Sequence, residues 1–224
     1  MEDIEAIAAL QDPVRRRLYE YVAAQGREVG RNEAAEAAGV ARTLAAHHLD
    51  KLTEAGLLES GSRRLTGRSG PGAGRPAKVY TRSRAERAVS LPARDYRTAA
   101  ELLAEAAEQA GLDAGLCAAA RRRGEALRGS AAPCGDLEEA MKLLADRGYE
   151  PHVEDADEEG AGVVRMRNCP FRAVAERFPP LVCGMNLALL EGLLGTEGPV
   201  RARMDARPGE CCVVIEPSEA PRTF

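Results

Sequence analysis

Apolar residues recur at helical spacing along the first 25 positions of the chain, and this pattern predicts an α-helical start. The run is interrupted by Asp12 and Pro13, an N-cap residue followed by a residue that fits the first position of a helix. We therefore predict a short helix that ends near Leu10 and a second helix from Pro13 to Ala24.

Two shorter helices joined by a tight turn are predicted next. The first runs from Arg31 to Gly39, and the second runs from Thr43 to Ala55 and stops at Gly56. The second helix has a core-facing stripe at i, i+3, i+4 and i+7, formed by Ala45, His48, Leu49 and Leu52. This arrangement is typical of a helix-turn-helix, whose second helix presents its first residues to base edges in the major groove.

Beyond Leu58 the chain is basic and rich in glycine and proline until a short strand at Lys78–Tyr80. This layout predicts a β-hairpin wing with a long tip, and a solvated linker is the alternative. Residues 61–90 hold eight Lys or Arg residues and one Glu in a chain of net charge −4, which is the local footprint of a nucleic-acid contact. The residues predicted to contact DNA are Arg42, Thr43, Ala46, His47 and Lys51 on the helix, and Arg63, Arg64, Arg68, Arg75 and Lys78 on the wing.

A helical segment is predicted in the middle of the chain. It opens at Asp95, carries a stripe of leucine and alanine, is interrupted at Gly111 and continues through Leu127. A stripe of small residues suits close helix packing, so we expect this segment to pair two copies of the chain; a helix linking the domains of a monomer is the alternative. The predicted domains are 1–92 (DNA-binding), 93–130 (connecting and dimerisation helix) and 131–224 (C-terminal domain).

The C-terminal part predicts a small α+β domain. An amphipathic helix is expected over 137–146, and strands are expected at 149–154, 162–167, 199–205 and 211–215. The strands would form two hairpins. The fold class is therefore α+β, with an N-terminal winged helix-turn-helix, a connecting helix and a small cysteine-containing sensor domain.

All six cysteines lie after residue 116. No apolar run approaches the ~20 residues needed to span a bilayer, and the acidic N-terminus lacks the pattern of a signal peptide. We therefore expect a cytoplasmic protein with no membrane partner, in which thiols stay reduced. Cysteines in that compartment favour metal, cluster or redox chemistry over a disulfide framework.

Three of the cysteines are predicted to converge. Cys169 is expected at a helix N-terminus, where the dipole favours a thiolate. Pro179 and Pro180 are expected to end that helix, so that Cys183 lies in the first turn of the next helix, and Cys211 is expected at the start of the last strand. Structural zinc sites usually draw their ligands in close pairs, whereas these three cysteines are widely spaced and therefore suit an iron–sulfur cluster better. Burial of the three cysteines as ordinary core residues is the alternative. The candidates for a fourth ligand are Cys212, Glu197, His152 and an exogenous group.

Two segments resemble known regulators. Residues 41–58 resemble the recognition helix of arsenic-repressor-type (ArsR) winged helices, in which a His-Leu-x-x-Leu-x-x-x-Gly-Leu pattern recurs as it does from His48 to Leu57. The Asn-Cys-Pro-Phe, Leu-Val-Cys and Gly-Glu-Cys stretches around Cys169, Cys183 and Cys211 resemble the iron–sulfur-assembly (Suf) operon repressors, or SufR-like family, and their actinobacterial relatives. The resemblance extends in order over residues 5–216.

This resemblance implies a homodimer that binds a double-stranded DNA operator and represses transcription. It further implies an iron–sulfur cluster, [4Fe-4S] or [2Fe-2S], on Cys169, Cys183 and Cys211, whose presence promotes operator binding. Because Cys212 is adjacent to Cys211, the choice between these two ligands stays open. A winged-helix regulator that senses thiol oxidation or zinc without a cluster is the rival reading. We do not expect an enzyme, because no Cys–His pair or oxyanion motif is apparent.

Overall fold

The computed structural model describes residues 2–63, 76–154 and 162–218. The chain divides into two compact units, Met1–Arg94 and Asp95–Phe224. The segment predicted as a separate connecting region, 93–130, falls mainly in the second unit, where its helices pack against the C-terminal elements.

Helices dominate the described part of the first unit. Its elements are α1 (Glu2–Ala9), α2 (Pro13–Gln25), β1 (Val29–Gly30), α3 (Arg31–Ala38), α4 (Arg42–Glu54), β2 (Leu58–Arg63) and β3 (Ala77–Arg82). The predicted helix boundaries are confirmed by their caps. The Asp12 carboxylate accepts hydrogen bonds from the Val14 and Arg15 amides at 2.8 and 3.0 Å, and Gly39 and Gly56 take positive φ after α3 and α4.

The predicted wing forms a β-hairpin. All six residues of β2 pair antiparallel with β3, and β1 joins the other edge of β3. The core beneath it is made by α2, α4 and the wing, from Leu18, Val22, Leu49, Leu52, Leu58 and Tyr80. His48, predicted on the core stripe of α4, is only half-buried. The predicted contacts Arg64, Arg68 and Arg75 lie outside the described residues.

The described part of the second unit mixes helices and strands. Its elements are α5 (Tyr96–Gln109), α6 (Asp113–Arg128), α7 (Leu137–Ala145), β4 (Pro151–Glu154), β5 (Val163–Met166), α8 (Arg172–Ala175), α9 (Pro179–Leu194), β6 (Val200–Met204) and β7 (Val213–Pro217). The two predicted hairpins are confirmed as β4–β5 and β6–β7. They join through β5 and β7 into one antiparallel sheet of order β4-β5-β7-β6, against which α7 and α9 pack.

α9 is the central helix of the second unit, with eight of its 16 residues buried. α6 crosses it with backbone against backbone, because glycines meet at the crossing point. A Cβ on Gly192 would overlap the Arg121 carbonyl oxygen and lie 3.0 Å from the Glu125 nitrogen, and a Cβ on Gly124 would lie 2.7 Å from the Leu193 nitrogen. In the ranges that the structure describes, helices of the length and apolarity required to cross a membrane are not found.

Candidate DNA interface and cysteine site

The outer face of α4 is the first candidate site. Four of the predicted contacts on this face, Arg42, Thr43, His47 and Lys51, are exposed, and the fifth, Ala46, is half-buried. The opposite face is buried in the core, so the helix is held with these predicted contacts directed outward. Lys51 is not free, because its ammonium pairs with the Glu54 carboxylate at 2.7 Å.

A polar cleft of about 980 Å³ lies between the start of α3, the start of α4 and the wing. The cations that line it are Arg27, Arg31, Arg42, Arg63 and Lys78. Two of them form exposed ion pairs, Arg27 with Glu33 at 2.5 Å and Arg63 with Glu28 at 3.3 Å. Arg42 has no hydrogen-bond or ion-pair partner among the described residues, so its guanidinium is available to a ligand.

Asp50 ties the second half of α4 to the wing. Its carboxylate accepts hydrogen bonds from the Lys78 ammonium at 2.6 Å and from the Tyr80 hydroxyl at 2.7 Å. The Tyr80 oxygen in turn accepts a hydrogen bond from Arg31 Nε at 3.0 Å. Burial acts to raise the pKa of Asp50, but the bonds from Lys78 and Tyr80 outweigh it and leave the pKa lowered. Lys78, predicted as a DNA contact, is thus held by the chain itself.

Four cysteines meet beside the N-terminal half of α9. Cys183 forms a disulfide with Cys212, with their Cα atoms 6.3 Å apart. The free thiols of Cys169 and Cys211 lie close enough to shift each other's pKa. Because Cys211 and Cys212 are neighbours in sequence, the two pairs form one site drawn from three chain segments.

Two buried polar side chains hold this site in place. Asn186 lies one turn after Cys183 on α9, and its Nδ2 donates a hydrogen bond to Cys211 Sγ at 3.4 Å. Its Oδ1 accepts a hydrogen bond from the Tyr149 hydroxyl at 2.5 Å. Asn186 and Tyr149 are 1% and 4% exposed, and buried polar groups of this kind are stable only when they are bonded. The pair therefore fixes the position of the Cys211 sulfur.

The two free thiols of the site differ in acidity. Interaction with the Cys211 thiol lowers the pKa of Cys169 to about 7 against the opposing effect of burial, with help from the Phe171 amide and the Arg172 charge. The same interaction, together with burial, raises the pKa of Cys211. Cys169 is therefore the first thiol of the pair to ionise, and its pKa lies near neutral pH.

This asymmetry predicts the alkylation behaviour of reduced, cluster-free protein. Reaction of Cys169 with iodoacetamide is expected to rise with pH to half its maximum near pH 7, because the thiolate is the nucleophile. Cys211→Ala removes this interaction and should move the midpoint toward the ~8.5 of an ordinary thiol. Peptide mapping by mass spectrometry measures both, with Cys134, whose thiol has its pKa raised by burial, as the internal unreactive control. Equal midpoints in the two proteins would contradict the assigned interaction between Cys169 and Cys211.

The local placement of the two helix-borne cysteines differs from the prediction. α8 is a single turn that begins at Arg172, so Cys169 precedes the N-cap residue and is not the cap itself. Pro179 and Pro180 begin α9, where the sequence suggested a break before a new helix, and Cys183 consequently lies in the second turn. The prediction missed this because proline at the first two helical positions and proline after a helix end produce the same local pattern.

The remaining predicted ligands are not equally close to the site. β7 begins at Val213, so Cys211 and Cys212 lie in the turn before it and not within the strand. His152, on β4, lies 3.8 Å from the carboxylate of Glu210, the residue that precedes Cys211. Glu197 follows the opposite end of α9, roughly 16 Å along the helix axis from the cysteine site.

A buried arginine fixes the turn that carries the paired cysteines. Arg165 on β5 is 2% exposed and donates hydrogen bonds to Glu154 at 2.7 Å and to Asp205 at 2.5 Å. It also lies 3.9 Å from Glu210. These bonds lower the pKa values of Glu154 and Asp205, so both stay ionised around the guanidinium.

The described side chains do not form a metal-binding site as they stand. Over 2–63, 76–154 and 162–218, no group of three or more His, Cys, Asp or Glu side chains is arranged to hold a metal ion. The four thiols are arranged as two close pairs instead.

The sequence reading missed four residues that organise these sites, namely Asn186, Tyr149, Arg165 and Asp50. Two of them carry a recognisable signal. Asn186 is an amide within the apolar run that forms α9, and Arg165 is a charge within a short apolar strand. A polar residue in a buried element implies a specific partner, although the sequence does not name that partner.

The comparisons with known proteins address the first unit. A family model described as a helix-turn-helix domain matches residues 10–61, which span α2 to most of β2. No curated protein and no solved structure matches the chain. The chain therefore carries a helix-turn-helix domain of the winged-helix regulator type, and this indicates a DNA-binding transcriptional regulator.

Proposed function

We propose that this chain is a dimeric transcriptional repressor whose binding to a DNA operator is controlled by an iron–sulfur cluster. The observation that carries the proposal is the meeting of four cysteines from three chain segments in the unit that follows a helix-turn-helix domain. In the first unit, the exposed residues at the start of α4 supply the contacts to base edges, among them Arg42, whose guanidinium has no partner in the part of the chain that the structure describes.

The residues that would hold the cluster are Cys169, Cys183 and either Cys211 or Cys212. Thiolates are the soft ligands that iron–sulfur clusters require. The site is partly shielded from water, and the Asn186 amide directed at sulfur is the type of donor that tunes such a cluster. A bound cluster supplies a centre that oxidants can alter. The Cys183–Cys212 bond has to be reduced before either of its sulfurs is a ligand.

The proposed dimer uses α5. No residue of this helix is buried, and Leu102 and Leu103 are 62% and 72% exposed. Ala104 and Ala107 on the same helix pack against Phe178 and its neighbours, so the helix has an attached side and an uncovered apolar side. A second copy of α5 would cover the exposed leucines, and two recognition helices would then read half-sites about one turn of DNA apart.

Anaerobic reconstitution tests the cluster directly. We expect protein treated with iron and sulfide to gain bound iron and visible absorption, and Cys169→Ser to lose both because an anionic soft ligand is replaced by a hydroxyl. Cys117→Ser is the matched control, since Cys117 lies on α6 and is not part of either thiol pair. Wild-type protein that stays colourless and iron-free would overturn the proposal of a cluster. If Cys117→Ser lost as much iron and absorption as Cys169→Ser, the assignment of Cys169 as a ligand would fail.

The disulfide supports a second candidate, a winged-helix regulator that senses oxidation through thiols without a cluster. Cys183 and Cys212 are already bonded, and Cys169 and Cys211 are in contact. This candidate predicts that metal-free protein binds its operator differently in the reduced and oxidised forms. Non-reducing mass spectrometry should then show a Cys183–Cys212 bond that forms and breaks reversibly. Operator binding that follows iron content and ignores the disulfide would exclude it.

A further inference from the structure

The DNA-facing side of α4 carries a carboxylate. Asp50 follows Ala46 by four residues and His47 by three, so it lies on the same face of the helix as these predicted contacts. Its side chain is 40% exposed. A carboxylate at this position repels the phosphates of a bound duplex unless the chain neutralises it.

Two cations from neighbouring elements neutralise Asp50, and a phenol donates a hydrogen bond to it. Lys78 and Tyr80 donate hydrogen bonds from β3, and the Arg31 guanidinium at the start of α3 lies 3.7 Å away. The two cations also lie over the Tyr80 ring, with Arg31 Cζ 5.9 Å and Lys78 Nζ 5.3 Å from its centroid. Tyr80 is fully buried, so it anchors this group of side chains around Asp50 in the core.

These two cations differ from the others that line the cleft. The side chains of Arg31 and Lys78 are 32% and 34% exposed, whereas those of Arg27 and Arg63 are 57% and 65% exposed. Exposed ion pairs exchange readily with solvent ions, and a phosphate can replace their carboxylates. The pairs around Asp50 are more sheltered and share a buried hydroxyl, so they hold their geometry more strongly.

We infer that Asp50 limits the sequence-independent affinity of the DNA interface, because it keeps Lys78 and Arg31 bound to the chain and away from phosphates. Phosphate contacts carry no sequence information directly and raise the affinity for every duplex, whereas base contacts and DNA shape discriminate between sequences. Because Lys78 and Arg31 are kept from the phosphates, the sequence-independent part of the DNA-binding affinity is lower. The part that comes from base contacts at the start of α4 is unchanged. This inference rests on the proposed DNA-binding function.

Asp50→Asn tests the inference, since the asparagine oxygen can still accept the Tyr80 hydrogen bond while the charge is removed. Each cation released to a phosphate adds about −0.9 to the slope of log K against log salt concentration. We expect a slope steeper by about 0.9 to 1.8, equivalent to about threefold to twelvefold more loss of affinity between 50 and 200 mM salt. Affinity for random-sequence duplex at low salt should rise several-fold, and affinity for the selected duplex should rise by a similar factor, so their ratio should not change.

Glu20→Gln is the matched control, because it removes one negative charge from an exposed position on α2 that does not line the polar cleft. Equal slopes for Asp50→Asn and Glu20→Gln would overturn the inference. Lys78→Met provides an independent measurement if Asp50→Asn does not fold. It should leave the wild-type slope unchanged, and a slope shallower by about 0.9 would show that Lys78 already contacts phosphate. If the wild-type protein bound no duplex from a random pool, the proposed DNA-binding function would be wrong, and the inference about Asp50 would fail with it.

Discussion

Gly192→Ala is expected to destabilise the second unit by about 3 kcal/mol, the upper part of the usual range for overpacking. The added methyl group would overlap the Arg121 carbonyl oxygen and approach the Glu125 nitrogen at 3.0 Å. Both neighbours are backbone atoms of α6, so no side chain can rotate away and the two helices must separate. Separation exposes apolar surface along the helix that carries Cys183, and the gain of up to ~1 kcal/mol from placing alanine in a helix does not offset it.

Gly184→Ala is the control for this substitution. It lies on the same helix, and its added methyl group would meet only the Cys117 sulfur at 3.6 Å, an ordinary contact. It should be neutral or stabilise the unit by up to ~1 kcal/mol. Hydrogen exchange of the α6 and α9 amides in the full chain measures both variants. If the two alanines had equal effects, the helices could not be in backbone contact.

Arg42→Ala is expected to weaken binding to a selected duplex by about 5- to 150-fold, the equivalent of the ~1–3 kcal/mol of one good base contact. Arg42 is the first residue of α4, is exposed and has no partner among the described residues, so its loss should leave the fold intact. Binding to random duplex should fall much less, because the lost interaction reads sequence. Fluorescence anisotropy with duplexes selected from a random pool by the wild-type protein gives both affinities.

Arg42→Lys separates a base contact from a phosphate contact. Lysine keeps the charge but lacks the planar fork that matches a guanine edge, so it should restore binding to random duplex and only partly restore selectivity. Equal losses of affinity for the selected and the random duplex in Arg42→Ala, both restored by lysine, would assign Arg42 to a phosphate. Circular dichroism should show the same helix content in all three proteins.

Local chemistry explains why much of the fold was predictable from the sequence. Asp12 followed by Pro13 specifies a helix start, and Gly39 and Gly56 specify helix ends, because caps and left-handed residues act within a few positions of the chain. Hydrophobic spacing likewise placed α4, the wing strands and both C-terminal hairpins. Pro179 and Pro180 were misread because their local pattern suits both a helix start and a helix stop.

The sequence predicted the residues of the two sites better than it predicted the contacts between them. It identified the helix-turn-helix, the outward face of its second helix and the three candidate cysteines, because residue type and spacing carry that information. Which cysteine pairs with which, and which residues support the pairs, was decided only by tertiary structure: Cys183 meets Cys212 across 29 positions, and Asn186 reaches Cys211 across 25. The same holds for Asp50, whose partner Lys78 lies 28 positions away on the wing. Contacts between distant segments depend on how the helices and strands pack, and no local pattern records that packing.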